Sequence, residues 1–198
     1  IGQIMRGMEK IVINNYKVLE DVVRDSYSGV VWSHKIQEKQ SDIYAEKFKK
    51  METINIGAAS LTSVGIIAMV FTDPLWLKLV SALVSFASVY ITAYFKSFDL
   101  QKLIASHKTI ANKLISVRDQ YKVLLTEIRL QNDSVENLLK RYDELVKETD
   151  TIYLEASSTT DEAVDRASEA LKIKKDNTFS DDEIDSFLPI SLRRGMNG

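Results

Sequence analysis

Two long stretches without a charged residue constrain this chain more than any other feature. Residues 53–72 read TINIGAASLTSVGIIAMVFT, and residues 79–95 read LVSALVSFASVYITAYF. About 20 helical residues cross the hydrocarbon core of a bilayer, and the first stretch has that length. The second reaches it when the residues that follow Pro74 join its helix. The pattern predicts a two-helix hairpin in a membrane, with spans at about 53–72 and 75–95.

The insertion energy of each predicted span is modest. Each stretch contains eight Leu, Ile, Val or Phe residues, which together contribute roughly −2.5 to −5 kcal/mol to insertion. One central charge costs about 3 kcal/mol and would offset most of that gain. The spans therefore need neighbouring helices. A hairpin buried in a soluble helical bundle is the alternative, but no other segment supplies an apolar surface large enough to cover it.

Lysines flank the predicted spans on one side of the membrane. The turn between the spans carries only Lys78, whose long side chain can extend to the interface. Because basic residues collect on the cytoplasmic side, we expect both termini in the cytoplasm and the turn at Asp73 and Pro74 outside. The flanking lysines are Lys39, Lys47, Lys49, Lys50, Lys96, Lys102 and Lys108.

Composition favours helices and offers no catalytic centre. Only seven glycines and two prolines occur in 198 residues, which favours an all-α fold with long cytoplasmic amphipathic or coiled-coil helices. There is no cysteine, and the formal net charge is −2, so thiolate sites are excluded and direct nucleic-acid binding is not expected. No phosphate loop, Gly-x-Ser-x-Gly or His-Glu-x-x-His motif is present. We expect no enzyme, no catalytic or cofactor-binding residue, no metal and no cofactor.

Helical periodicity divides the chain into four segments. They are N-terminal cytoplasmic helices at 1–52, the membrane hairpin at 53–95, a cytoplasmic helical hairpin at 96–154, and short C-terminal helices and a tail at 155–198. In the first segment, Ser28 and Gly29 are expected to break the helix. Before that break an apolar seam with steps of four and three residues predicts a coiled coil, and it comprises Ile4, Met8, Ile11, Asn15, Val18 and Val22.

The second span is expected to continue as one helix into the cytoplasmic hairpin. A strongly periodic seam follows it, and we interpret this seam as an interface. It comprises Leu103, His107, Ile110, Leu114, Val117 and Tyr121. A return helix is predicted from about residue 135, capped by Asp133, and later helices are predicted with caps at Thr159 and Ser180. His107 is either a packed histidine or a pH switch.

Hydroxyl side chains recur along one side of the second span. They lie within an arc of about 60° at 100° per residue. This pattern is typical either of a pore-lining face or of a packing face between membrane helices, where small hydroxyl residues are common. The candidate pore-lining residues are Ser81, Ser85, Ser88 and Thr92.

A second polar pattern precedes the first span. His34, Glu38 and Asp42 follow each other at four-residue steps, so they share one helix face. One histidine and two carboxylates could ligate a metal, but such a set on one helix is weak evidence. A solvated face or a strip of ion pairs between subunits is the favoured interpretation.

The stretch VVWSHKIQEKQSDIYAEKFKKMETINI, at residues 30–56, resembles the SLATT proteins, and in particular their family-5 type. The residues that carry this resemblance are Trp32, His34, Lys35, Glu38, Lys39 and Asp42. The later pieces IYLEASSTTDEAVDRASEALK and FSDDEIDSFLP are also similar to C-terminal helices of that group. The chain has Ser157 and Ser158 where the group has proline, so the likeness is looser there.

The resemblance implies a function that periodicity does not give. SLATT proteins are two-transmembrane effectors of prokaryotic conflict systems, named for their association with SMODS nucleotidyltransferases and SLOG domains. It implies a homo-oligomer in the lipid of the bacterial inner membrane, which forms a pore or disrupts the membrane and causes abortive infection. The expected partner is a cytoplasmic sensor: a nucleotidyltransferase, a SLOG protein or a reverse transcriptase. A membrane-anchored scaffold that recruits a defence enzyme without conduction is the alternative.

Overall fold

The protein is all-α in the part that the structure describes. The computed structural model describes residues 2–71, 75–176 and 178–194, with side chains included except those of 2–13, 68–71 and 95–98. The expected helical class is confirmed, and no strand occurs in these residues. The helices are α1 (Gly2–Phe71), α2 (Leu75–Phe98), α3 (Leu100–Leu130), α4 (Val135–Glu155), α5 (Asp161–Lys172) and α6 (Asp181–Phe187), followed by a 3₁₀ turn at Ile190–Leu192.

Helix α1 runs without interruption through 70 residues, a length of about 105 Å at 1.5 Å per residue. The expected break at Ser28 and Gly29 is therefore wrong. Ser28 lies inside the helix and its Oγ donates a hydrogen bond to the Arg24 carbonyl, while Gly29 is exposed. Val23 and Val30 are buried on either side. Their packing outweighs the helix penalty of one glycine, which is about 1 kcal/mol.

The cytoplasmic core forms where α1 packs against the hairpin of α3 and α4. The predicted antiparallel hairpin is present, and its seam is buried within this chain. Within this chain, α1 and α4 supply the faces that cover the seam, and a role of the seam as an interface between copies stays a prediction. The buried cluster comprises Leu19, Val23, Val30, Ile110, Leu114, Val117, Tyr121, Leu124, Ile128, Leu138, Leu145 and Ile152. His107 lies in the same seam at 1% exposure, and Leu103 is half-buried.

A one-residue joint separates α2 from α3, so the expected continuous helix is wrong. Asp99 adopts φ 35° and ψ 58°, in the left-handed region, and its side chain accepts a hydrogen bond from the Lys102 N–H. This cap satisfies one of the free donors at the start of α3. The joint therefore separates the apolar helix from the cytoplasmic hairpin.

Capping residues set the other helix starts. Ser134, rather than the expected Asp133, caps α4, and Thr160, rather than Thr159, caps α5. Asp133 instead accepts hydrogen bonds from the Ser134 N–H and the Asn137 side chain. The expected cap at Ser180 is present at α6, where Glu183 completes a capping box.

The two apolar stretches project from this core as helices. Within the described residues, one helix has the length and hydropathy to cross a membrane: Leu75–Tyr94, with only 6% of its apolar window buried. The first span is the continuation of α1, whose side chains beyond residue 67 lie outside the description, so a hairpin of two spans is not confirmed. The turn at Asp73 and Pro74 and the side chains of Ile4, Met8 and Ile11 also lie outside the described residues.

Candidate functional site

The apolar end of α1 packs directly on α2. A Cβ placed on Gly65 would lie 2.5 Å from the Ser81 Oγ, and both residues are buried in this contact. Glycine permits the helices to approach closely, as small residues commonly do between membrane helices. The outward faces of both helices are apolar: Leu61, Val64, Leu83 and Phe86 are all more than 60% exposed.

The candidate pore-lining residues lie at different depths in this contact. Ser81 is buried, Ser85 and Ser88 are half-buried, and Thr92 is exposed. The Ser88 Oγ is itself buried and has no hydrogen-bond partner among the described residues, while its backbone carbonyl accepts from the Thr92 hydroxyl. Ser81 therefore lies in the contact between the two helices, and the pore-lining role of these residues stays a prediction.

A polar cluster occupies the core below the apolar helices. We define it as Gln37, Gln40 and Ser41 on α1 with His107 on α3 and Thr160 at the start of α5. The Gln37 Oε1 lies 2.6 Å from the His107 Nδ1, and the Ser41 hydroxyl donates to the Ile104 carbonyl at 3.2 Å. The Gln40 Oε1 accepts from the Thr160 N–H at 2.7 Å and from its hydroxyl at 3.0 Å. The cluster joins α1 to α3 and to the cap of α5.

His34 and Lys35 extend the buried polar region toward the end of α5. Each is only 3% exposed, so a solvated face is wrong for His34. The Lys35 ammonium lies 3.0 Å from Glu38 and 3.4 Å from Asp176, which supplies the partners that a buried charge requires. The His34 Nε2 lies 3.7 Å from the same Glu38 carboxylate.

The remaining residues of the family resemblance lie around that pair. Lys172 on α5 places its ammonium 5.5 Å from the centre of the Trp32 ring. Lys39 contacts Glu38 at 3.5 Å and Asp42 at 3.3 Å, so these two carboxylates face ammonium groups. Among the described residues there is no group of three His, Asp or Glu side chains placed to hold a metal ion.

Burial controls the titration of the two histidines. Desolvation lowers the pKa of His34 below its ordinary 6.5, although the Glu38 carboxylate opposes the shift. Burial likewise lowers the pKa of His107, whose ring packs 5.5 Å from the ring of Tyr44. Both imidazoles are therefore held neutral near pH 7, because a buried site disfavours the charged form.

Sequence reasoning missed Gln37 and Gln40, which hold the cluster together. A signal for Gln37 was available. The buried positions of α1 continue at steps of three and four residues from Val30 through His34 and Gln37 to Ser41. Polar residues at positions that should be apolar mark a buried hydrogen-bonded network.

Comparison with models of protein families identifies the family of this chain. The model of the SMODS and SLOG-associating 2TM effector domain, family 4, matches residues 19–183. The chain belongs to the SLATT family. The match confirms the family expected from the sequence and gives type 4 where the resemblance suggested type 5. It covers α1 from Leu19, the apolar helices, the polar cluster and the first three residues of α6. The SLATT chain is therefore a membrane effector of a conflict system. Comparison with curated proteins gives no match, and neither does comparison with solved structures.

Proposed function

We propose that this SLATT protein assembles into a homo-oligomer in the bacterial inner membrane and permeabilises it when a cytoplasmic sensor is activated. The observation that carries the proposal is the pair of apolar helices, which pack on each other through Gly65 and Ser81 and leave their outer faces uncovered. Continuous apolar surfaces along two helices are unfavourable in water and favourable in lipid. The role is non-enzymatic.

The proposed topology places both spans in the bilayer and both termini in the cytoplasm. The family description, a 2TM effector domain, supports two spans. The lysines that flank the spans support the orientation, since basic residues favour the cytoplasmic side. Trp76, which is 65% exposed, suits the outer interface, where amphipathic rings are enriched.

The proposed activation separates the two spans. In the packed conformation Ser81 is covered by Gly65, and the Ser88 hydroxyl is shielded. If a trigger favours a state in which the spans part, this hydroxyl face turns toward water and lines a path with Thr92. A silent and an active state need differ by only a few kcal/mol for a trigger to exchange them.

One experiment distinguishes the permeabilising effector from the non-conducting scaffold. The chain is expressed from an inducible promoter in bacteria, and uptake of a membrane-impermeant DNA dye is followed with a matched vector control. The effector admits dye within the period in which the protein appears in the membrane fraction. A scaffold leaves the membrane tight at the same protein level, and that result would refute the proposal.

A further inference from the structure

A cationic groove lies between α1 and α3, away from the polar cluster. Two cavities of about 400 and 480 Å³ adjoin there and share Tyr27, Ser28 and Lys122 in their walls. Trp32 and Phe179 line one end, and Leu125 lies toward the other. From Arg118 to Arg129 the groove follows α3 for about 16 Å at 1.5 Å per residue.

The charge of the groove is positive. Its walls contain Arg24, Arg118, Lys122 and Arg129. Among the residues whose side chains are described, two carboxylates contact these cations. Glu20 lies 2.8 Å from Arg129 and 4.0 Å from Arg24, and Asp119 lies 2.8 Å from Arg118. Asp176, which also lines the groove, is paired with Lys35. Two positive charges therefore remain, and the aromatic walls add apolar surface.

The segment that leaves this groove has the opposite character. Residues 179–187, which we name the C-terminal segment, contain Asp181, Asp182, Glu183 and Asp185. Its apolar side chains are uncovered: Phe187 is 79% exposed and Ile184 is 43% exposed. The capping box fixes α6 as a short helix, and the Phe179 and Phe187 rings lie 6.3 Å apart. Arg194 contacts Asp181 at 3.1 Å and offsets part of the negative charge.

We propose that the C-terminal segment of a second copy docks in the cationic groove. Acidic residues of the segment would face Lys122 and the arginines, and its uncovered Ile184 and Phe187 would meet the apolar wall. The seven residues of α6 span about 10 Å, which fits the groove length. A second copy is the occupant because the chain's own segment reaches the groove only through Phe179, and the side chains of Ile184 and Phe187 stay exposed.

This contact joins two different surfaces of the same chain. Such heterologous contacts can repeat from copy to copy and close into a ring. The inference rests on the proposed assembly of several copies, and it names the cytoplasmic surfaces that make that assembly. It does not require that the membrane become permeable.

The test uses the absence of native cysteine. One chain carries Thr126→Cys with one affinity tag, and the other carries Ile184→Cys with a second tag. Both full-length chains are co-expressed, and the membranes are treated with a short bismaleimide. We expect a covalent heterodimer that contains both tags. The control pair combines Thr126→Cys with Asp150→Cys, an exposed position on α4, and gives background only.

Charge exchange makes the test specific. Lys122→Glu should lower the heterodimer yield about three- to fivefold, the most that an exposed ion pair contributes, and Asp182→Lys in the other chain should restore it. Neither side chain lies in the buried core, so the helix content measured by circular dichroism should not change.

The results separate the inference from the proposed function. If a crosslink forms only when Thr126→Cys and Ile184→Cys are placed in the same chain, the chain's own C-terminal segment docks in the groove. That result would overturn the inference. Equal yield from the control pair would overturn it as well. Crosslinking without dye uptake would keep this contact and refute permeabilisation. Dye uptake without crosslinking would support permeabilisation and refute this contact.

Discussion

Gln37 on α1 and His107 on α3 are joined by a hydrogen bond of 2.6 Å between Oε1 and Nδ1. Because the amide oxygen only accepts, the imidazole donates its Nδ1 proton. Gln37→Leu would leave that buried donor unsatisfied and should cost about 1–3 kcal/mol of folding stability. Gln37→Leu with His107→Leu removes both polar groups and should cost clearly less than the sum of the single changes. Thermal unfolding of the four proteins in detergent, followed by circular dichroism, measures the coupling, and additive losses would contradict the bond.

The two buried histidines should make the fold less stable in mild acid. Burial lowers the pKa of His34 and of His107 below 6.5, so the unfolded chain binds more protons than the folded chain once the pH falls below that value. The folding stability that depends on these two neutral histidines is fully present above pH 6.5. It is lost as the pH falls toward the pKa values of the folded state. The unfolding temperature should therefore decrease between pH 7.5 and pH 5.

A histidine-free variant gives the control for this pH dependence. Gln37→Leu with His107→Leu should reduce the slope between pH 7.5 and 5, and the further change His34→Gln should remove most of what remains. Glu46, Asp133 and Glu183 also have lowered pKa values, because hydrogen bonds favour their charged forms. They titrate below pH 4.5 and act outside this window. An unchanged slope in the variant would show that other groups are responsible.

The joint at Asp99 should respond differently to glycine and to alanine. Asp99 has a left-handed backbone, at φ 35°, and caps α3. Asp99→Ala loses the cap and keeps the strained conformation, so it should cost about 1–2 kcal/mol. Asp99→Gly loses the same cap but adopts this backbone freely, so its net effect should be close to zero. The two variants are compared by their unfolding temperatures. An equal loss of stability in both would argue against a left-handed joint in the native protein.

The α3 seam shows how far the sequence predicts this fold. Leu114, Val117 and Tyr121 repeat at helical spacing, and the periodicity correctly marked them for burial. It predicted the return helix α4, which contacts the seam through Thr149 and Tyr121. It did not reveal the second partner, α1, whose matching face includes the polar His34 and Gln37 and so lacks a continuous apolar signal.

Local propensity misled the sequence reasoning at two positions. Ser28 and Gly29 resemble a helix break, but burial of Val23 and Val30 holds the helix through them. Asp99 lies in a pattern that continues across it, so periodicity alone missed the joint. The contact of Gly65 with Ser81 depends on how two helices approach each other, which composition can suggest through small residues but cannot assign to a pair.

Potassium efflux from cells after induced expression, measured with and without a lock between the two spans, is the most direct test of the central claim. Gly65→Cys with Ser81→Cys places two thiols at positions whose Cβ atoms would lie 3.7 Å apart, a separation that a disulfide can bridge, and no native cysteine competes. The chain with Ser81→Cys alone is the matched control. High expression favours assembly by mass action. We expect the control chain to release potassium, the oxidised pair to keep the membrane tight, and reductant to restore efflux. A membrane that stays tight with the control chain, or efflux that the oxidised pair does not reduce, would contradict permeabilisation by separation of the spans.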